Sequence, residues 1–113
     1  MYEYKAKVHR VLDGDTVDVV IDLGFEMSSR QRLRLYGIDT PEVRTRDLKE
    51  KARGKAAKSR LLQLINDCKR EVIVQTLKRG KYGRILAKIL NPDTRENFNQ
   101  TLLKEGHAKR MVF

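Results

Sequence analysis

Residues 38–42 read Ile-Asp-Thr-Pro-Glu and bring two carboxylates, Asp39 and Glu42, and the hydroxyl of Thr40 into five positions. Pro41 fixes its own φ and steers Thr40 towards an extended conformation. The carboxylates are therefore expected on a stiff turn at the end of a strand, where both can serve one site. Taken alone, the pentapeptide reads better as a surface turn than as a site, because Asp, Thr and Pro are ordinary turn residues. A further carboxylate, Asp15, opens the β-branched run Thr16–Ile21 upstream. If the two strands are neighbours, Asp15 and Asp39 reach one point. Two carboxylates and a main-chain carbonyl suit a hard, oxygen-loving cation such as Ca²⁺, with water completing its shell. Such a cation, an activated water and positive charge on the phosphate oxygens are what phosphodiester hydrolysis requires.

Positioning these groups falls to a strand-rich chain. Residues 2–12 alternate, with Tyr2, Tyr4, Ala6 and Val8 set against Glu3, Lys5, Lys7 and His9, the period of a half-buried strand. Asp13-Gly14 is a turn signal, and residues 15–23 form a second strand. A hairpin loop is expected over 24–30 and a third strand over 31–38, ending at the pentapeptide. A polar, Arg/Lys-rich loop should fill 43–53. A helix follows over about 54–67, with Ala57, Leu61, Leu64, Ile65 and Cys68 on one apolar stripe. Residues 70–77 and 84–90 supply two more strands, separated by the basic, glycine-punctuated loop 78–83. A second helix over 96–105 buries Phe98, Leu102 and Leu103, and Gly106 stops it. Five strands, a helix between the third and fourth and a C-terminal helix make an α+β, mainly β chain. Its expected architecture is a Greek-key OB-fold barrel forming one domain over 1–113.

Lys and Arg number 25 against 15 Asp and Glu, a formal charge of +10 on 113 residues. That excess predicts an anionic partner, in the first place nucleic acid. No segment has the basic amphipathic pattern of a membrane-surface helix, so no membrane partner is expected. Cys68 is the one cysteine, which rules out an intrachain disulfide, and with only His9 and His107 beside it a zinc site is not expected. Ser28, Ser29 and Ser59 have no histidine nearby, which argues against a covalent serine mechanism. The opening residues MYEYKAKVHR are charged and alternating, unlike a signal peptide, and no apolar run would span a membrane. A cytoplasmic monomer is the expectation, with secretion of a longer precursor left open.

Three stretches gain meaning together: Leu-Asp-Gly-Asp-Thr-Val at 12–17, Arg-Leu-Tyr-Gly-Ile-Asp-Thr-Pro-Glu at 34–42, and Lys-Tyr-Gly-Arg at 81–84. In this order and on this strand pattern they resemble the staphylococcal nuclease-like (thermonuclease) family over roughly residues 5–110. The resemblance implies that Asp15, Asp39 and the carbonyl of Thr40 hold calcium. It implies Glu42 as general base for the attacking water, and Arg34 and Arg84 as the grip on the phosphate. Arginine suits that grip because its planar fork bonds two oxygens at once and stays charged. Lys81 and Tyr82 match residues that contact the nucleotide. The implied activity is that of a calcium-dependent endonuclease, a hydrolase cutting DNA and RNA with little sequence preference and leaving 3′-phosphates. Usual members continue into a third, C-terminal helix; this sequence stops at Phe113, with Val112 near a position where the family carries a tyrosine, so a more open base pocket is expected. The rival reading is a non-catalytic OB-fold module that binds nucleic acid. Such modules depend on aromatic platforms, and this chain lacks tryptophan and keeps Glu42. Asp13 is expected to be structural, and Asp18 and Asp22 solvated. Arg44, Arg46, Lys49, Lys51 and Arg53 suit either a solvated loop or a surface that steers polynucleotide.

Overall fold

The computed structural model describes residues 2–79 and 84–111. In chain order these form β1 (Tyr2–Asp13), β2 (Thr16–Gly24), β3 (Met27–Leu35), β4 (Ile38–Asp39), α1 (Leu48–Asp67), β5 (Glu71–Arg79), β6 (Ile85–Leu90), α2 (Phe98–Lys104) and β7 (Lys109–Arg110). Five of the strands close a barrel in the order β1-β2-β3-β6-β5, with β5 returning to β1. Neighbours run antiparallel except β3 and β6, which are parallel. This is the expected OB-fold arrangement. The alternation seen in the sequence becomes the barrel lining: Val8, Val17, Val19, Leu33, Leu35, Val74 and Ile89 are buried. Leu61 and Ile65 of α1 and Phe98 and Leu102 of α2 join the same core. On the outside, Asp18 is not merely solvated, since it pairs with Arg32 across β2 and β3 at 2.8 Å. No helix among the described residues is long and apolar enough to cross a membrane.

Four expectations need correction. The helix begins at Leu48, not near 54, so residues 48–53 are helix rather than loop. Its first turns are polar and show no apolar stripe. What starts it is Asp47, whose carboxylate accepts from the backbone N–H groups of Lys49 at 3.0 Å and Glu50 at 3.3 Å; such a cap is worth about 1 kcal/mol. The hairpin loop shrinks to a tight reversal at Gly24, Phe25 and Glu26, with φ of 79°, 53° and 62°, so β3 already starts at Met27. At its other end β3 stops at Leu35. Gly37, at φ 82°, turns the chain into β4, which pairs with β7 in a separate two-stranded sheet. Cys68 is the half-buried C-cap of α1 rather than part of its buried stripe, which is Gly54, Ala57, Leu61, Leu64 and Ile65. The remaining elements agree to within a few residues, and Gly106, at φ 80°, follows the end of α2 as expected.

Candidate active site

Register brings the first two site residues together. Thr16 of β2 lies opposite Arg34 of β3, and the Leu35 N–H donates to the carbonyl of Asp15 at 2.8 Å. Asp15, in the turn before β2, therefore stands beside Arg34. Its carboxylate is 5% exposed, a burial an unpaired charge would not tolerate. Three donors satisfy it: Nη1 of Arg34 at 2.8 Å, the backbone N–H of Thr40 at 3.1 Å and the hydroxyl of Thr16 at 3.0 Å. The other arm of the same guanidinium, Nη2, reaches Oδ1 of Asp39 at 3.3 Å, the carbonyl of Ile38 at 3.4 Å and Sδ of Met111 at 3.6 Å. One planar cation thus bridges a buried and an exposed carboxylate that are 24 positions apart in the sequence (39 − 15).

The turn after Asp39 is held by close packing. Thr40 is 5% exposed and lies under the Asp13–Asp15 turn. A Cβ on Gly14 would stand 2.7 Å from Cβ of Ala57 and 3.0 Å from Cγ2 of Thr40, so glycine is what lets the Asp13–Asp15 turn close onto these two side chains. Gly54 does the same from α1. A Cβ there would fall 2.5 Å from the Glu42 carbonyl oxygen and 2.8 Å from that of Pro41. The obstacle is backbone, which cannot swing aside. Gly54→Ala should lower stability by roughly 1–2 kcal/mol, overpacking outweighing the gain in helix propensity. Urea unfolding checks this, and a more stable variant would show that the helix does not abut the turn. From the other side, the buried Asn99 of α2 donates to the carbonyls of Tyr36 at 2.9 Å and Ala87 at 3.1 Å, and accepts from the Ile89 N–H at 3.3 Å. It ties the turn preceding β4 to β6. Asp13, expected to be structural, accepts from the Val43 N–H at 3.4 Å.

Asp15, Arg34, Asp39 and Thr40 therefore meet at one place. Glu42 is on the same turn with an exposed side chain that has no hydrogen-bond partner among the described residues. Arg84 is exposed and directly precedes β6, whose Ile85 pairs with Leu33, so it lies on the strand next to Arg34 without contacting it. Lys81, Tyr82 and Val112 lie outside the described residues. Gly14 and Thr16, which stand in the 12–17 motif, support the site, as do Gly54, Asn99 and Met111, which were not singled out from the sequence. Of these only Gly54, a glycine inside a helix, carries a local signal of close approach.

The donor set fits a hard cation. Two carboxylates, one from the turn before β2 and one from β4, already converge on one positive group. Beside them, Oγ1 of Thr40 is buried without a hydrogen-bond partner among the described residues, which is rare for a polar atom and marks an oxygen-rich corner. No group of three His, Cys, Asp or Glu suited to a metal occurs among the described residues. A cation here would thus draw on carbonyl and water oxygen as well, as calcium does.

Comparison with known proteins places the chain among nucleases by sequence. The chain is 34% identical over 111 residues to the thermonuclease of Staphylococcus hyicus, covering 98% of this chain and 62% of that protein. It is 36% identical over 104 residues to an uncharacterized endonuclease of Escherichia coli, covering 90% and 58%. With a micrococcal nuclease of Shigella flexneri it shares 32% over 115 residues, covering 94% and 58%. The chain thus spans about six-tenths of the length of these relatives. The family model for staphylococcal nuclease homologues matches residues 32–113, which takes in Arg34, the whole 38–42 turn and Arg84, and the chain belongs to that family.

Proposed function

We propose that this chain is a calcium-dependent nuclease that hydrolyses phosphodiester bonds of DNA and RNA with little sequence preference and leaves 3′-phosphate ends. The observation that carries the reading is the bridge from Asp15 through Arg34 to Asp39, two carboxylates and a phosphate-matching guanidinium within one contact shell. The names of the relatives, thermonuclease, endonuclease and micrococcal nuclease, point the same way. In this reading Asp15, Asp39 and the main-chain carbonyl of Thr40 hold the calcium ion. When bound, that ion supplies positive charge to the phosphate oxygens and orients the attacking water. Arg34, on β3, and Arg84, directly before the neighbouring β6, flank the phosphate and offset charge that grows in the transition state. Lys81 and Tyr82 contact the nucleotide. Glu42 takes the proton from water; its exposed position and lack of a competing hydrogen bond leave its oxygens available.

The test is a gel assay on single- and double-stranded DNA and on RNA after chelation, with calcium or magnesium added back. Cleavage should vanish in chelator and return with calcium, and the new ends should resist a 3′-end-dependent exonuclease until dephosphorylated. Saturable DNA binding with no cleavage in excess calcium would instead establish the rival OB-fold binding module.

A further inference from the structure

We propose that the groove between α1 and residues 106–109 is a second phosphate subsite. In it Arg53 and Lys109 hold the polynucleotide backbone beyond the reacting phosphate. The proposal rests on the nuclease reading and adds a stretch of substrate to it. The groove, of about 280 Å³, shares a wall with the candidate active site, because Asp39, Thr40 and Pro41 line it together with Arg53 and Lys109. A strand leaving the reacting position therefore has a continuous path into it.

Both cations are placed by the backbone. Lys109 lies directly opposite Asp39 in the β4–β7 pair, so the two side chains project from the same face. Arg53 immediately precedes Gly54, whose Cα abuts the carbonyls of Pro41 and Glu42. Both residues are exposed, and neither forms an ion pair among the described residues. Among the described residues Arg32, Arg60 and Arg95 are held in pairs with Asp18, Glu105 and Glu3, whereas Arg53 and Lys109, like the exposed Arg10, Arg30 and Arg84, are not. Glu50 and Asp39 also line the groove and formally balance its two cations, but Asp39 is engaged by Arg34 from outside the groove lining. Two unpaired cations beside Asp39 suit a chain of phosphates, in which each nucleotide brings a further negative charge.

The experiment uses the Glu42→Gln protein in calcium, to prevent cleavage, and measures the affinity of single-stranded DNA by fluorescence anisotropy across a salt series. An eight-nucleotide strand is compared with a dinucleotide, which carries only the bond that would react. Adding Arg53→Gln and Lys109→Gln should weaken the eight-nucleotide strand about ten-fold. It should also flatten its log K against log salt slope by about 1.4, the value for two phosphate contacts on a single strand. The dinucleotide should change less than about two-fold, since it has no second phosphate to lose. Lys5→Gln with Lys7→Gln removes the same charge from exposed positions on a separate groove and should leave the slope in place. An unchanged slope in the Arg53/Lys109 variant, an equal loss for the dinucleotide, or an equal effect of the Lys5/Lys7 control would each overturn the subsite. Failure of the parent Glu42→Gln protein to bind either strand would overturn the nuclease reading along with it.

Discussion

Glu42→Gln should slow cleavage by about 10²–10⁴ and leave calcium affinity unchanged. The amide keeps the shape of the side chain but cannot accept a proton from water. Structural consequences should be small, because the side chain is exposed and satisfies no donor among the described residues. What holds the turn in place is its backbone against Gly54 and the Thr40 side chain against Gly14, and the substitution touches neither. Single-turnover rates at saturating calcium isolate the chemical step, and calorimetry reports the metal. If calcium affinity falls together with the rate, Glu42 is a metal ligand rather than a base. A rate equal to that of the parent would remove it from the mechanism altogether.

The second large effect is on the fold. Arg34→Gln should destabilise the metal-free protein by about 3–5 kcal/mol, because removing one member of a buried ion pair leaves the other charge unpaired. The side chains of Arg34 and Asp15 are only 12% and 6% exposed, so water cannot take over the solvation of the carboxylate. Thr16 and the Thr40 N–H would remain as its only donors. The bond to Asp39 matters less here, since that carboxylate is 51% exposed and already solvated. Urea unfolding in chelator gives the loss. Combining Arg34→Gln with Asp15→Asn should recover part of it, since the unpaired charge is then gone. If the proposed calcium site exists, calcium should also stabilise the single variant, because the carboxylate pair that would hold it is assembled only in the folded chain. A loss below about 1 kcal/mol in chelator would mean that Asp15 is not the buried charge the geometry makes it.

Much of this architecture was legible because it is written in short-range patterns. Period-two alternation marked β1 and β3 and β-branched residues marked β2, and Ala6 and Val8, Val17, Val19 and Ile21, and Leu33 and Leu35 are buried at alternate positions. Pro41 beside Asp39 marked the stiff turn, and Gly106 the end of α2, because each restricts or frees φ at one position. The first turns of α1 escaped notice for the converse reason. Residues 48–53 bury little, so no apolar period announced them, and the signal was the single capping carboxylate of Asp47. The strand boundaries at Met27 and Leu35 depended on how tightly the chain reverses at 24–26 and 36–37, which a run of alternating residues does not specify.

What the sequence by itself determined is the inventory: an excess of positive charge, an alternating strand set, and Asp15, Arg34, Asp39, Glu42 and Arg84 standing at strand ends. Only the tertiary structure decided how these residues meet. The bridge from Asp15 through Arg34 to Asp39 depends on the register of β2 against β3 and on the turn at Gly37, and a slip of one residue would send Arg34 into the barrel. The pairing of β4 with β7, which sets Lys109 beside Asp39, joins segments 70 positions apart (109 − 39). The seat of Pro41 and Glu42 on Gly54 needs a helix and a loop to close to backbone contact. Local preferences act over a few residues. Register and close approach are set by the chain folding back on itself, and that is where the carboxylates listed along the sequence become a site.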